Sequence, residues 1–154
     1  MKLYLVQHGE ASSKEINPER PLTEKGRTDV GKLSQFLQQA GIHVNRIIHS
    51  GKLRAAQTAE ILAGKLAPDS VPEESDFINP NDDPAVFDWQ SDGVNGDVLV
   101  VGHLPFMAKL VSHLLIDDAE QGIVAYQPGS IVCLEYVEST RWQLNWMIRP
   151  ELIK

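Results

Sequence analysis

Lys2-Leu3-Tyr4-Leu5-Val6-Gln7-His8-Gly9 decides how this chain is read. Lys2 to Val6 is a short apolar run rich in β-formers, and it predicts a buried strand. The run stops at Gln7-His8-Gly9-Glu10, so a histidine stands at the exit of an N-terminal core strand. In open α/β sheets ligands bind outside the carboxyl ends of the strands. Glycine there lets the backbone turn sharply or approach a ligand closely. Alone, a His-Gly pair after a strand is an ordinary turn. A second copy of the pattern raises its weight. Asp97-Val98-Leu99-Val100-Val101 is another buried-strand run, and it ends in Gly102-His103-Leu104-Pro105. Two strands then deliver a histidine each to one edge of a sheet.

The segments between them fit an alternating α/β plan. Ala11 to Pro21 is polar and loop-like, with Asn17-Pro18 as a turn signal. Thr23 predicts a helix N-cap, and Val30, Leu33, Leu37 and Ala40 recur at helical spacing, with Phe36 widening the stripe. Gly41 suits the helix end. Val44 to His49 predicts a second strand, broken by Ser50-Gly51. A second helix is expected from Lys52 to Leu66, with Leu53, Ala56, Ala59, Leu62 and Leu66 inward and Arg54 and Gln57 off that stripe. A short strand near Val71, a loop over Pro72 to Pro84 and a helical turn over Ala85 to Gln90 follow. After the strand ending at Val101, Pro105 suits a first helical position, and Met107, Leu110, Val111, Leu114 and Leu115 form one stripe. Ser130 to Val137 and Arg141 to Ile148, joined by Glu138-Ser139-Thr140, predict a terminal hairpin. The order implies an α/β protein: a mostly parallel sheet with helices on both faces and an antiparallel C-terminal hairpin.

Composition narrows the partners. The 154 residues are expected to form one domain with room for a real core. The net charge of −7 and the lack of a basic tract argue against nucleic-acid binding. Any anion site must be a local pocket of positive groups. One cysteine, Cys133, excludes an intrachain disulfide and a multi-cysteine metal site. It lies in an apolar run and reads as a buried, inert thiol. The chain opens with no basic leader, apolar stretch and cleavage site, and no run approaches ~18 apolar residues. The expected location is the cytoplasm, with no membrane partner.

Three exits on one sheet edge supply His8, Arg54 and His103. Arg54 follows the second strand through Ser50-Gly51-Lys52-Leu53 and opens a helix, whose free N–H groups favour anions. His103 also precedes a helix. Arginine clamps phosphate bidentately, and a neutral imidazole is a nucleophile near physiological pH. The set describes a phosphate pocket with a nucleophile inside. Singly, Arg54 would be a surface arginine and His103 a capping or core histidine. A zinc site is a competing reading of the two histidines, but no HxxxH, CxxC or clustered carboxylate spacing supports it. His43 and His113 read as structural, and His49 as a packing or supporting residue.

L-Y-L-V-Q-H-G-E, R-P-L-T-E-K-G-R, S-G-K-L-R-A-A-Q-T-A and V-V-G-H-L-P, in that order, resemble the histidine phosphatase (phosphoglycerate mutase-like) superfamily. The short chain resembles its SixA-like branch of protein phosphohistidine phosphatases. The resemblance implies a three-layer α/β/α sandwich and a histidine that is phosphorylated during turnover, without a metal or cofactor. Carried over, His8 is the nucleophile, and Arg54 and His103 hold the phosphoryl oxygens. Ser50 and Leu53 form the scaffold around the arginine, with Gly51 where a proline is usual. Gly9 and Arg20 join the phosphate-binding set.

Gln7 departs from the family's Arg-His-Gly triplet. A glutamine amide still donates a hydrogen bond but carries no charge. Losing a charged donor from a transition-state clamp costs about 2–4 kcal/mol by analogy with an oxyanion donor. Arg20 is placed to supply a second positive group. The family's acid is expected among Glu73, Glu74, Asp76, Asp82 and Asp83, with Asp76 and Asp82 foremost, and Glu10 lies near the site. The expected substrate is a phosphorylated protein of the histidine-containing phosphotransfer type, or a small phosphoester. The short stretch between Gly51 and Gly102 leaves little room for a helical lid. The alternative is a weak or silent phosphate- or phosphoprotein-binding module, and a scaffolding protein with an unused pocket is a third reading.

Overall fold

A computed structural model describes residues 1–88, 96–138 and 141–154. In chain order these form β1 (Lys2–Gln7), α1 (Glu24–Gln39), β2 (Arg46–His49), α2 (Leu53–Leu66), β3 (Glu73–Glu74), β4 (Val98–Gly102), α3 (Phe106–Ile116), β5 (Ile131–Val137) and β6 (Arg141–Ile148). Short 3-10 turns cover Pro84–Val86 and Pro150–Leu152. The expected turn over Ala85 to Gln90 is thus met in part by Pro84–Val86, and its Trp89 and Gln90 lie outside the described residues. So do Ser139 and Thr140 of the hairpin connection.

One sheet runs β3-β2-β4-β1-β5-β6. β1, β2, β3 and β4 pair in parallel, and β5 and β6 are antiparallel. Side chains alternate across the sheet with period two. Tyr4, Val6, Ile47, Leu99 and Val101 face one way and pack on Val30, Leu33 and Leu37 of α1 and Ala59, Leu62 and Leu66 of α2. Leu3, Leu5, Ile48, Val98 and Val100 face the other way onto Phe106, Met107, Leu110 and Val111 of α3. These three layers are the expected α/β/α sandwich. Both faces are covered, which is why β1 and β4 read as unbroken apolar runs. Cys133 is buried in β5, and burial pushes its thiol up to about 11. No helix among the described residues is long and apolar enough to cross a membrane.

Local signals hold at most termini. Thr23 caps α1 by accepting Gly26 N–H at 3.0 Å. Gly41 follows the helix with φ +80°, the left-handed turn that glycine permits. Four details differ from expectation. Val71 is exposed, and the third strand is instead Glu73–Glu74, because Pro72 cannot donate to a ladder and pairing begins after it. Phe36 is 43% exposed, and Ser34 takes the buried place beside Leu33 and Leu37. Leu53 opens α2 on the exposed side, and its inward face is Ala55, Thr58, Ala59, Leu62, Ala63 and Leu66. Pro105 follows a cis peptide bond and caps α3, one residue before the helix starts.

Candidate active site

Strand register brings the two histidines together. In the parallel β1–β4 pair Gln7 stands opposite Gly102, so the residues that follow each leave the sheet side by side. The His8 N–H donates to the Gly102 carbonyl at 3.0 Å. The His8 and His103 rings lie 4.9 Å apart, centroid to centroid, at an angle of 53°. β2 lies on the other side of β4, with His49 opposite Val101. Its exit residue, Ser50, reaches His103: Ser50 Oγ is 2.6 Å from His103 Nε2. Ser50 Oγ also accepts the Lys52 N–H at 3.4 Å. Where the Ser50 hydroxyl donates to Nε2, the His103 proton lies on Nδ1. That Nδ1 is buried with no partner, and such a donor needs one.

His8 is fixed in the opposite sense. Its Nδ1 donates to the Gly9 carbonyl at 2.7 Å, which assigns the lone pair to Nε2. Burial, then the Arg54 and Arg20 charges, hold His8 down to about 4, against the opposing pull of the Gly9 carbonyl. Burial, then His8, Arg54, Lys52 and Arg20, hold His103 down to about 3. Both rings are therefore neutral at neutral pH, inside a field of three cationic side chains.

Arg54 stands in the first turn of α2, and its Nε is buried without a partner. Burial and the Arg20 charge push its guanidinium below the usual arginine value. Arg20 sits in the Ala11–Leu22 loop, which an Ala11↔Leu22 bridge and a Ser12 N–H to Pro21 carbonyl bond close at its base. Its Nε donates to the Ser12 carbonyl at 3.0 Å. Gln7 is 7% exposed, with its Oε1 unpartnered. Gly9 lies against α1: a Cβ there would come within 2.8 Å of Val30 Cγ2.

The carboxylates are engaged elsewhere. Glu10 accepts the Thr23 hydroxyl at 2.6 Å and so belongs to the α1 cap. Asp82 accepts the Asn79 N–H at 2.8 Å, and Asp83 caps the turn at Ala85. Glu73 pairs with Arg46. Asp76 lines a cavity of about 310 Å3 with Arg46, Glu73 and Phe77. No described contact joins Asp76 or Asp82 to His8 or His103. Glu74 alone of the group lies over the Ser50–Gly51 turn, packed against Gly51. His49 accepts the Gly51 N–H through Nδ1 and supports that turn. His43 is exposed, and His113 lies 3.8 Å from Asp117 at the end of α3.

Sequence reasoning passed over two residues beside the site. Thr58 is fully buried; its Oγ1 accepts the Gly9 N–H at 3.0 Å and donates to the Arg54 carbonyl at 2.8 Å. Gln57 Oε1 accepts the Leu22 N–H at 2.8 Å. The spacing was the one available signal, since with Arg54 they form a polar i, i+3, i+4 set on α2, but the use of the Thr58 hydroxyl shows only in the fold.

Known proteins resemble this chain in sequence and fold. The family model of the histidine phosphatase superfamily (branch 1) matches residues 3–78. An uncharacterized protein of Picosynechococcus sp. is 37% identical over 118 residues, covering 71% of this chain and 70% of its own. The phosphohistidine phosphatase SixA of Escherichia coli is 24% identical over 155 residues, covering 97% and 94%. A solved structure of the protein histidine phosphatase SixA complexed with tungstate superposes over 100% of both chains, with a TM-score of 0.83 and 26% identity. The SixA structure carries the same fold along the whole chain, and with the matched segment and the 37% identical relative the protein belongs to the histidine phosphatase superfamily.

Proposed function

We propose that this chain is a phosphatase that carries the phosphoryl group on His8 Nε2 and acts on phosphohistidine displayed by a partner protein. One observation carries the reading: a buried, neutral imidazole has its Nδ1 proton spent on Gly9, beside a second imidazole and an unpartnered arginine. The Nε2 lone pair attacks phosphorus, the N–P bond forms, and the bond to the substrate's leaving nitrogen breaks. Water then attacks the phosphorylated His8, the N–P bond breaks with its electron pair returning to Nε2, and dihydrogen phosphate departs with both protons of that water. An imidazole leaves more readily than an alkoxide, so the reaction makes little demand on a strong acid. This suits a site from which Asp76 and Asp82 stand apart.

In this reading Arg54, Arg20 and the His103 Nδ1–H bind the phosphoryl oxygens, and the Gln7 amide adds a neutral donor. These groups supply the charge stabilisation that phosphoryl transfer needs, and no metal is assigned a part. Gly9 contributes close approach rather than its N–H, which Thr58 already holds. The substrate class follows the activity named for the SixA relatives, a histidine-containing phosphotransfer domain being the type of partner and a small phosphoester the lesser candidate.

Gln7 favours a second reading. A clamp without that positive charge, with a buried carbonyl oxygen left unpartnered, describes a phosphate-binding module that turns over weakly or not at all. Turnover of an aryl phosphate and of a phosphohistidine peptide separates the two. The phosphatase reading expects activity in the native protein, none in His8→Ala, and none lost to chelators. It expects Gln7→Arg to raise the rate by about 100- to 1,000-fold, the size of one oxyanion donor. Native turnover no better than that of His8→Ala, with phosphate still bound, establishes the module instead.

A further inference from the structure

The α2 motif R-A-A-Q-T contributes more than Arg54. Thr58 and Gln57 leave the same side of the helix and each ties down a different piece of the site. From Thr58 a continuous chain of hydrogen bonds runs to the nucleophile. The His8 Nδ1–H donates to the Gly9 carbonyl, the Gly9 N–H donates to Thr58 Oγ1, and the Thr58 hydroxyl donates to the Arg54 carbonyl. One buried hydroxyl therefore holds the His8–Gly9 peptide, next in the chain to the Gly9 carbonyl that orients the His8 ring, and anchors it to the residue that bears the arginine. From Gln57, Oε1 holds the Leu22 N–H at the base of the loop that carries Arg20. Neither side chain could be replaced by an apolar one without leaving a backbone N–H unpaired in a buried or half-buried place, which costs more than the bond is worth net.

We propose that Thr58 and Gln57 are positioning residues: Thr58 sets the nucleophile against Arg54, and Gln57 sets Arg20 against the same arginine. The two act through separate bonds on separate backbone segments, so their effects divide. Losing the Thr58 bond leaves the His8–Gly9 peptide held only at its carbonyl end, by the Gly129 N–H, loosens the adjoining Gly9 carbonyl that holds the His8 Nδ1 proton, and lets Nε2 drift from its line of attack. Losing the Gln57 bond loosens one of several ties at the base of the Arg20 loop and weakens anion binding while His8 stays in place. The assignment of kinetic effects rests on the phosphatase reading, but the geometry of the two bonds does not.

Thr58→Val, Thr58→Ser and Gln57→Met test it through kcat and KM on p-nitrophenyl phosphate, the Kd for inorganic phosphate, and the 15N shifts of the His8 ring. Thr58→Val should lower kcat by about 10- to 100-fold, the range set by small misplacements of a reacting group, and move His8 proton occupancy off Nδ1. Its phosphate Kd should stay within about twofold, since the charged groups are untouched. Thr58→Ser keeps the hydroxyl and should restore both kcat and the ring shifts. Gln57→Met should raise the phosphate Kd by about tenfold, the worth of a charged hydrogen bond, with the His8 shifts unchanged. Should Thr58→Val fail to fold, Thr58→Ala reads the same bond. Unchanged His8 shifts in the folded Thr58 variant would overturn the proposal. So would equal losses of kcat and phosphate affinity in both variants, the signature of general loosening. If the native protein turns over no faster than His8→Ala, the phosphatase reading fails alone, and the ring shifts and phosphate Kd still decide for or against the two positioning roles.

Discussion

Arg20 holds its backbone at φ +52°, a conformation that costs a side chain with a Cβ about 1–2 kcal/mol. Such outliers persist where the surroundings over-determine them, and they cluster at functional sites. Here the Ser12 carbonyl accepts its Nε, and its charge reaches His8, His103 and Arg54. Arg20→Gly removes the strain and the Ser12 bond together. The bond is worth about 1 kcal/mol, close to the strain relieved, so the urea midpoint should barely move. Phosphate affinity should nevertheless fall by about tenfold, as expected for one lost charge-assisted bond. A variant that loses stability and keeps its phosphate affinity would place Arg20 outside the pocket. At this scale the sequence was legible for His8 and His103, because each follows its own apolar run. It was not legible for Thr58, whose hydroxyl matters only once the Gly9 turn has folded against α2. The acidic candidates carry a second use that spacing does not show. Asp82 and Asp83 sit in the loop where an acid was sought, yet each caps its own turn, a short-range use that carboxylates adopt readily.

Helix α1 shows how an element can be held to the site by one missing atom. Gly26 lies in its first turn, and a Cβ there would stand 2.1 Å from the Glu10 carbonyl oxygen. The helix rests directly on the backbone that leaves His8 and Gly9. In the same helix a Cβ on Gly31 would meet nothing within 4 Å. Glycine inside a helix is worse than alanine by about 0.5–1 kcal/mol, so Gly31→Ala should stabilise the protein by that amount. Gly26→Ala gains the same propensity but must push backbone from backbone, a net loss of about 1–3 kcal/mol. Urea unfolding of the two variants gives opposite signs if this contact is real, and equal signs if it is not. The helix itself was legible from its cap and stripe. The strand after Pro72 was not, because two paired residues carry no periodicity and Val71, the better β-former, points into solvent.

Across the whole molecule, the two buried histidines tie stability to pH. Their ordinary value is 6.5, and in the fold they are held down to about 4 and about 3. The unfolded chain therefore takes up protons first as the solution is acidified. The stability due to the neutral rings is complete above the ordinary histidine value and is lost as pH falls from there toward 4 and 3. The net charge of −7 works against this trend, since acidification also relieves self-repulsion. Charges at the surface are screened, and buried rings are not, so the urea midpoint should fall between pH 7 and pH 5. His8→Asn, which does not titrate, should flatten part of that slope. An unchanged slope in the variant would show that His8 is freely protonated in the fold. The layer order was readable from alternation of apolar runs and helical stripes. The pairing of β1 with β4, on which the site depends, came only from the expectation that parallel strands share a carboxyl edge.

Gly51, at φ +86° with the Glu74 side chain in the space a Cβ would fill, links two positions that are far apart in the chain. The resemblance to the family puts a proline at this turn, and proline's ring holds φ near −65°. The two residues are thus not interchangeable on one backbone. A lineage could pass from one to the other only by re-routing the turn below Ser50. The exposed Glu74 side chain can swing aside, so the backbone of the turn, and not its neighbour in β3, sets the barrier to the exchange. A loop borrowed from a proline-bearing relative would have to bring its own turn geometry with it.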